Sequence, residues 1–135
     1  MRDRGQGGLL GLRRCMRCLA MSLLLLLGVD DSSRAGVADV LSASADCSSS
    51  VCTFSVTVRH EDEGWSHYAD SWEVVAPDGR VLATRLLRHP HVGEQPFTRE
   101  LRGVEVPANV TSVRIRAHDS VHGFGGREVV VQVGK

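Results

Sequence analysis

The sequence predicts an all-β domain, an antiparallel sandwich, carried behind an export signal. Three observations lead there. From residue 37 onward apolar residues alternate with polar ones, and no helical stripe interrupts them. Turn-forming residues punctuate that alternation at short intervals. The first thirty-odd residues are a different kind of sequence: Met1, Met16, Met21 and the leucine run lie there, whereas all six histidines lie at or after His60.

The leader comes first. Arg2, Arg4, Arg13, Arg14 and Arg17 stand against Asp3, and an apolar run follows from Leu19 to Val29. Basic, apolar and small residues in that order read as a secretory signal. The run is short of the roughly 20 residues a spanning helix needs. Ser33-Arg34-Ala35 puts small residues at both cleavage-pocket positions, which sets the expected organisation: a signal peptide over 1–35 and one sandwich domain over 36–135. A cut after Ala38 is the alternative. No Cys follows the apolar run closely enough for a bacterial lipoprotein anchor. The expected destination is secreted or periplasmic, with membrane contact only during export. Cys15 and Cys18 have redox or zinc spacing but lie in the signal's basic region.

The strands follow in order. Val37–Ala45 is the first. In 51–58, Cys52, Phe54, Val56 and Val58 share one face while Thr53, Ser55 and Thr57 share the other. Cys47 and Cys52 flank the short connection between these two strands, separated by Ser48-Ser49-Ser50-Val51. Outside the cytosol such a pair is normally oxidised, so a disulfide stapling a hairpin is expected. Trp72, Val74 and Ala76 repeat the alternation, with Trp72 expected in the core. Pro77-Asp78-Gly79 then turns the chain into 81–87. Residues 97–106 form an extended segment, anchored by Phe97 and interrupted at Gly103. Pro107-Ala108-Asn109 turns it into Val113, Ile115 and Ala117, which alternate with Arg114 and Arg116. Val129, Val131 and Val133 close the count at seven. Seven short strands at this spacing suggest an immunoglobulin-like sandwich, with a barrel as the alternative.

About 100 residues make one modest core and leave little room for a Rossmann or TIM-barrel enzyme. From Gly36 onward 10 Lys and Arg face 13 Asp and Glu, so no basic excess points to nucleic acid.

The histidines carry the chemistry. His60 and His67 bracket one connection, His89 and His91 lie in a second, and His118 and His122 occupy a third. In a Greek-key sandwich these three connections emerge at one end. His89-Pro90-His91 sets two imidazoles on one side of an extended segment. His118 and His122 lead into Gly123-Phe124-Gly125-Gly126, where three glycines permit a tight fold. His60 has the parity of Phe54, Val56 and Val58, pointing it toward the rim of the core. Converging imidazoles suit Zn, Cu(II), Fe or Ni. The strongest expected ligands are His89, His91, His118 and His122, with His67 next and His60 last. Asp70, Glu94 and Asp119 are close enough in sequence to orient them, or to act as ligands themselves. Glu61-Asp62-Glu63 reads as a solvated acidic loop. Trp65 and Tyr68 could roof the site. Asn109-Val110-Thr111 is a glycosylation sequon, relevant only in a eukaryotic secretory route.

His67-Tyr68-Ala69-Asp70-Ser71-Trp72-Glu73-Val74, followed by His118-Asp119-Ser120-Val121-His122-Gly123, resembles the iron-binding domain of superoxide reductases, desulfoferrodoxin and neelaredoxin. That family pairs a His-Tyr-x-x-Trp-type strand entry with a late Cys-Asn-x-His-Gly motif. The resemblance implies an immunoglobulin-like sandwich and ligand roles for His67 and His122. The family's axial cysteine has no counterpart here; the nearest positions are Asp119 and His118. The resemblance therefore implies the architecture without superoxide reduction. His-Pro-His, Glu-Gln-Pro-Phe-Thr-Arg and Ala-His-Asp-Ser-Val-His-Gly also resemble small secreted bacterial proteins of unknown function.

The expected function is an exported transition-metal-binding protein for carriage, buffering or redox chemistry, more a binder than an enzyme. The alternatives are an extracytoplasmic protein- or glycan-interaction module and a superoxide reductase-like metalloenzyme without the axial cysteine.

Overall fold

The computed structural model describes residues 36–134, and the expected signal peptide, with Cys15 and Cys18, lies outside the described residues. The described residues contain strands and no helix. In chain order the strands are β1 (Asp39–Ser48), β2 (Val51–Arg59), β3 (Ala69–Val75), β4 (Val81–Leu86), β5 (Phe97–Glu105), β6 (Ser112–Asp119), β7 (Gly123–Phe124) and β8 (Val129–Gln132). They form two antiparallel sheets. One has the order β1-β2-β5; the other has β4-β3-β6-β7, with β8 also on β6.

The alternation seen in the sequence builds the core between these sheets. Cys52, Phe54, Val56 and Val58 of β2 are buried, as are Trp72 and Val74 of β3 and Val113, Ile115 and Ala117 of β6. Side chains from both sheets join one apolar cluster. Two polar side chains inherit this inward parity. His60 continues the buried face of β2 one step past its end, and Asp119 closes the buried face of β6; they are 2 % and 0 % exposed. Period two therefore delivers an imidazole and a carboxylate to the rim of the core.

Cys47 and Cys52 are bonded, and they face each other in the β1–β2 register across the two-residue turn Ser49-Ser50. Gly103, at φ 71°, sits where the β2–β5 register shifts, which explains the interruption seen in the sequence. The strand count differs by one from the expected seven. Gly123, at φ 72°, lets Phe124 fold back on His118 and adds the two-residue β7.

The connections over 60–68, 87–96 and 120–128 meet at one end. Asp62 accepts from the His91 amide, and the Ser120 amide donates to the Tyr68 carbonyl. The disulfide and the 106–110 connection lie at the other end, around a shallow cavity that Val133 also lines.

Candidate metal centre

His60 is fixed by its own loop. The buried Asp62 carboxylate pairs through Oδ1 with His60 Nδ1 at 2.6 Å and accepts the Ala69 amide at 3.1 Å. Its Oδ2 accepts the His91 amide at 2.6 Å. With Nδ1 committed to a carboxylate, the donor left on His60 is Nε2, which is buried and has no hydrogen-bond partner. A carboxylate bonded to the far nitrogen orients a metal-binding imidazole in this way.

Asp119 meets it from β6. Its Oδ1 accepts the amides of Val121 at 2.8 Å and His122 at 2.7 Å, which curls the chain so that His122 returns over the carboxylate. Its Oδ2 is buried without a partner. Burial alone would raise the carboxyl's pKa. The His122 and Val121 amides, with the charges of His122 and His60, outweigh it and hold the group below its ordinary value. Asp119 is thus kept as a carboxylate.

Two further imidazoles close around Asp119. His67 Nε2 and His122 Nδ1 each lie 3.3 Å from Asp119 Oδ1. Ring centroids are 4.8 Å apart for His60 and His67, and 5.0 Å for His67 and His122. Donor atoms of His60, His67 and Asp119 all lie within 4.8 Å of one another. Donors around one bound ion are about 3–4 Å apart, so small rotations would bring these three together. The group combines two imidazoles and a carboxylate, a set suited to borderline divalent metals. His122, 45 % exposed at its side chain, stands on the solvent side.

The other expected ligands fall elsewhere. His89 is exposed and turns Nδ1 toward its neighbour's carbonyl, Pro90 O, at 3.1 Å. His91 is buried, stacked on Phe97 with centroids 3.9 Å apart, and its Nε2 faces Arg99 at 2.9 Å. The two rings of His-Pro-His are neighbours, 4.6 Å apart, yet one is at the surface and the other packed as a core residue. His118 takes the opposite face of β6 from Asp119, and its Nδ1 lies 2.6 Å from Asp70. These two line an outer-face groove of about 550 Å³ with Tyr68, Glu73 and Phe124. Asp70 therefore orients His118 rather than the group around Asp119. Glu94 is exposed and pairs with Arg99. Asp119 belongs within the group itself.

Two residues were not legible as parts of the site. Asp62, expected in a solvated loop, is buried; only its flanking Glu61 and Glu63 are exposed. The signal available was its spacing, two positions after His60 and on the same inward parity. Gly36 is the other. Its carbonyl lies 3.2 Å from His67 Nε2, and its backbone abuts His122. Trp65, 69 % exposed, packs edge-on against Tyr68 rather than roofing the group.

No family model matches the chain, and no solved structure matches it. A Halomicrobium mukohataei protein named "Putative lipoprotein" is 43% identical over 101 residues, covering 75% of this chain and 48% of the relative. The chain thus spans about half the length of that relative. No helix among the described residues is long and apolar enough to cross a membrane.

Proposed function

We propose that the protein is an exported metal-binding module, an immunoglobulin-like sandwich over residues 36–135, which holds one transition-metal ion. His60 Nε2, His67 and Asp119 Oδ2 are the ligands, with His122 as a fourth donor facing solvent. One observation carries this reading: two buried donor atoms, His60 Nε2 and Asp119 Oδ2, have no partner, and their residues group with a second imidazole, His67. Leaving each such atom unpaired costs about 1–3 kcal/mol, and a bound cation would recover that cost at both. The Asp62–His60 contact supports it, because it presents Nε2 rather than Nδ1. The basic-then-apolar leader and the lipoprotein name of the relative support a location outside the cytoplasm. Nitrogen-rich ligation with one carboxylate suits Zn(II), Fe(II) or Cu(II), and carriage or buffering of such an ion is the function.

The test is calorimetric titration of the purified exported protein with each of these ions. One equivalent should bind tightly, and Asp119→Asn should weaken it by roughly 100-fold or more. His89→Ala should leave it unchanged. A folded protein that binds none of the three ions stoichiometrically, or an Asp119→Asn variant that binds as well as the parent, overturns the reading.

A further inference from the structure

We infer that the α-amino group of Gly36, freed by cleavage after Ala35, is a further ligand of this metal centre. The inference rests on the metal-binding reading above. It joins two observations made independently of each other.

The first is structural. The backbone of Gly36 is pressed against the imidazoles on the solvent side of the group. A Cβ at this position would lie 2.6 Å from His122 Cε1, 3.2 Å from Nδ1 and 3.3 Å from Nε2, so a side chain there would have to displace the His122 ring. Its carbonyl reaches His67 Nε2 at 3.2 Å. One residue therefore touches both imidazoles that are not buried behind Asp62. Standard backbone geometry puts a residue's nitrogen about 2.5 Å from its Cβ position. The Gly36 nitrogen is then no more than about 6 Å from either ring nitrogen of His122. Two donors on one ion are at most about 4 Å apart, a difference that a terminal residue can close by rotation about its own backbone.

The second observation is in the sequence. Ser33-Arg34-Ala35 carries the small residues of a signal cleavage site, and the bond it marks is the one before Gly36. A peptide nitrogen has its lone pair delocalised into the carbonyl and is a poor ligand. An amine nitrogen is a good one. Hydrolysis of the Ala35–Gly36 bond would convert the first into the second beside His67 and His122. Export and completion of the metal site would then be one event, and the unprocessed chain would bind the ion more weakly.

Lys135 is the chain's one lysine, so in a Lys135→Arg protein acetylation falls on the α-amine alone. The full chain is exported through its own leader, the mature terminus is read by intact mass, and Cu(II) and Zn(II) affinities are measured before and after acetylation. The expected mass begins at Gly36, and acetylation weakens binding by about 10- to 100-fold. In the unmodified Cu(II) protein, ¹⁵N-glycine labelling should alter the nitrogen hyperfine pattern of the electron paramagnetic resonance spectrum. A terminus other than Gly36, an unchanged affinity after acetylation, or a spectrum blind to ¹⁵N-glycine overturns the amine ligand while leaving the histidine site intact. No binding by the unmodified protein overturns both.

Discussion

The two ends of the sandwich are closed by different means. At one, a disulfide joins facing residues of β1 and β2, next to Val106, Pro107 and Val110. At the other, carboxylates and imidazoles replace the covalent bond: Asp62 ties the 60–68 connection to the 87–96 connection, and Asp119 holds the turn into β7. Four buried side-chain polar atoms lack a partner among the described residues. Three of them, on His60, His91 and Asp119, are at the imidazole end, and the fourth is Trp72 Nε1 in the core. The covalent end is finished as folded. The imidazole end is held in shape by hydrogen bonds that commit one side of His60 and of Asp119 and leave the other side free to bind.

The largest effect that can break this contrast is at Asp62. Truncation by Asp62→Ala strips three hydrogen bonds from a fully buried carboxylate and strands His60 Nδ1 and two amides. The expected loss is about 3–5 kcal/mol of unfolding free energy, read from urea midpoints. Asp62→Asn, which keeps one acceptor oxygen, should lose less. If Asp62→Ala costs under about 1 kcal/mol, the network is not what holds this end together.

Next in size is the other end. The Cys47→Ser/Cys52→Ser double variant opens a loop of only a few residues, for which chain entropy gives about 2 kcal/mol. The metal affinity should not change, since the disulfide lies at the far end of both sheets. A double variant that binds metal more weakly would show that the two ends are not independent.

How far the sequence revealed this depended on which residues followed a period. The two-sheet all-β fold, the buried Trp72 and the disulfide were legible because alternation and turn residues are local signals. So was the grouping of histidine connections at one end, which follows from chain order. Which of the histidines group together was not legible. His89-Pro90-His91 looked strongest because its spacing is conspicuous, yet Phe97 and Arg99 hold one ring inside and the other lies outside. The parity that His60 shares with Val56 and Val58 is what buries it at the rim, where it groups with His67 and Asp119. His118 and Asp119 are adjacent and so take opposite faces of β6, which a count of histidines could not resolve. Asp62 and Gly36 depend on contacts between chain-distant segments, and no local pattern carries those.

The smallest effect separates the packed His91 from its exposed neighbour His89. Burial, with help from the Arg99 guanidinium and His89, holds the His91 imidazole below its ordinary pKa, against the opposite pull of Glu94 and Asp62. Neutral His91 can then accept from Arg99 while its ring stacks on Phe97. The unfolded chain takes up this proton near the ordinary value of about 6.5, and the folded chain only at lower pH. Its contribution to stability is therefore complete above about pH 6.5 and is lost as pH falls from there through the folded value. In excess chelator, which keeps metal linkage out of the measurement, His91→Gln should flatten the fall in urea midpoint between about pH 7.5 and pH 5. His89→Ala, at the exposed neighbour, should move it less. Equal slopes for His91→Gln and the parent would mean that the stacked ring titrates freely, and that His91 is no more a core residue than His89.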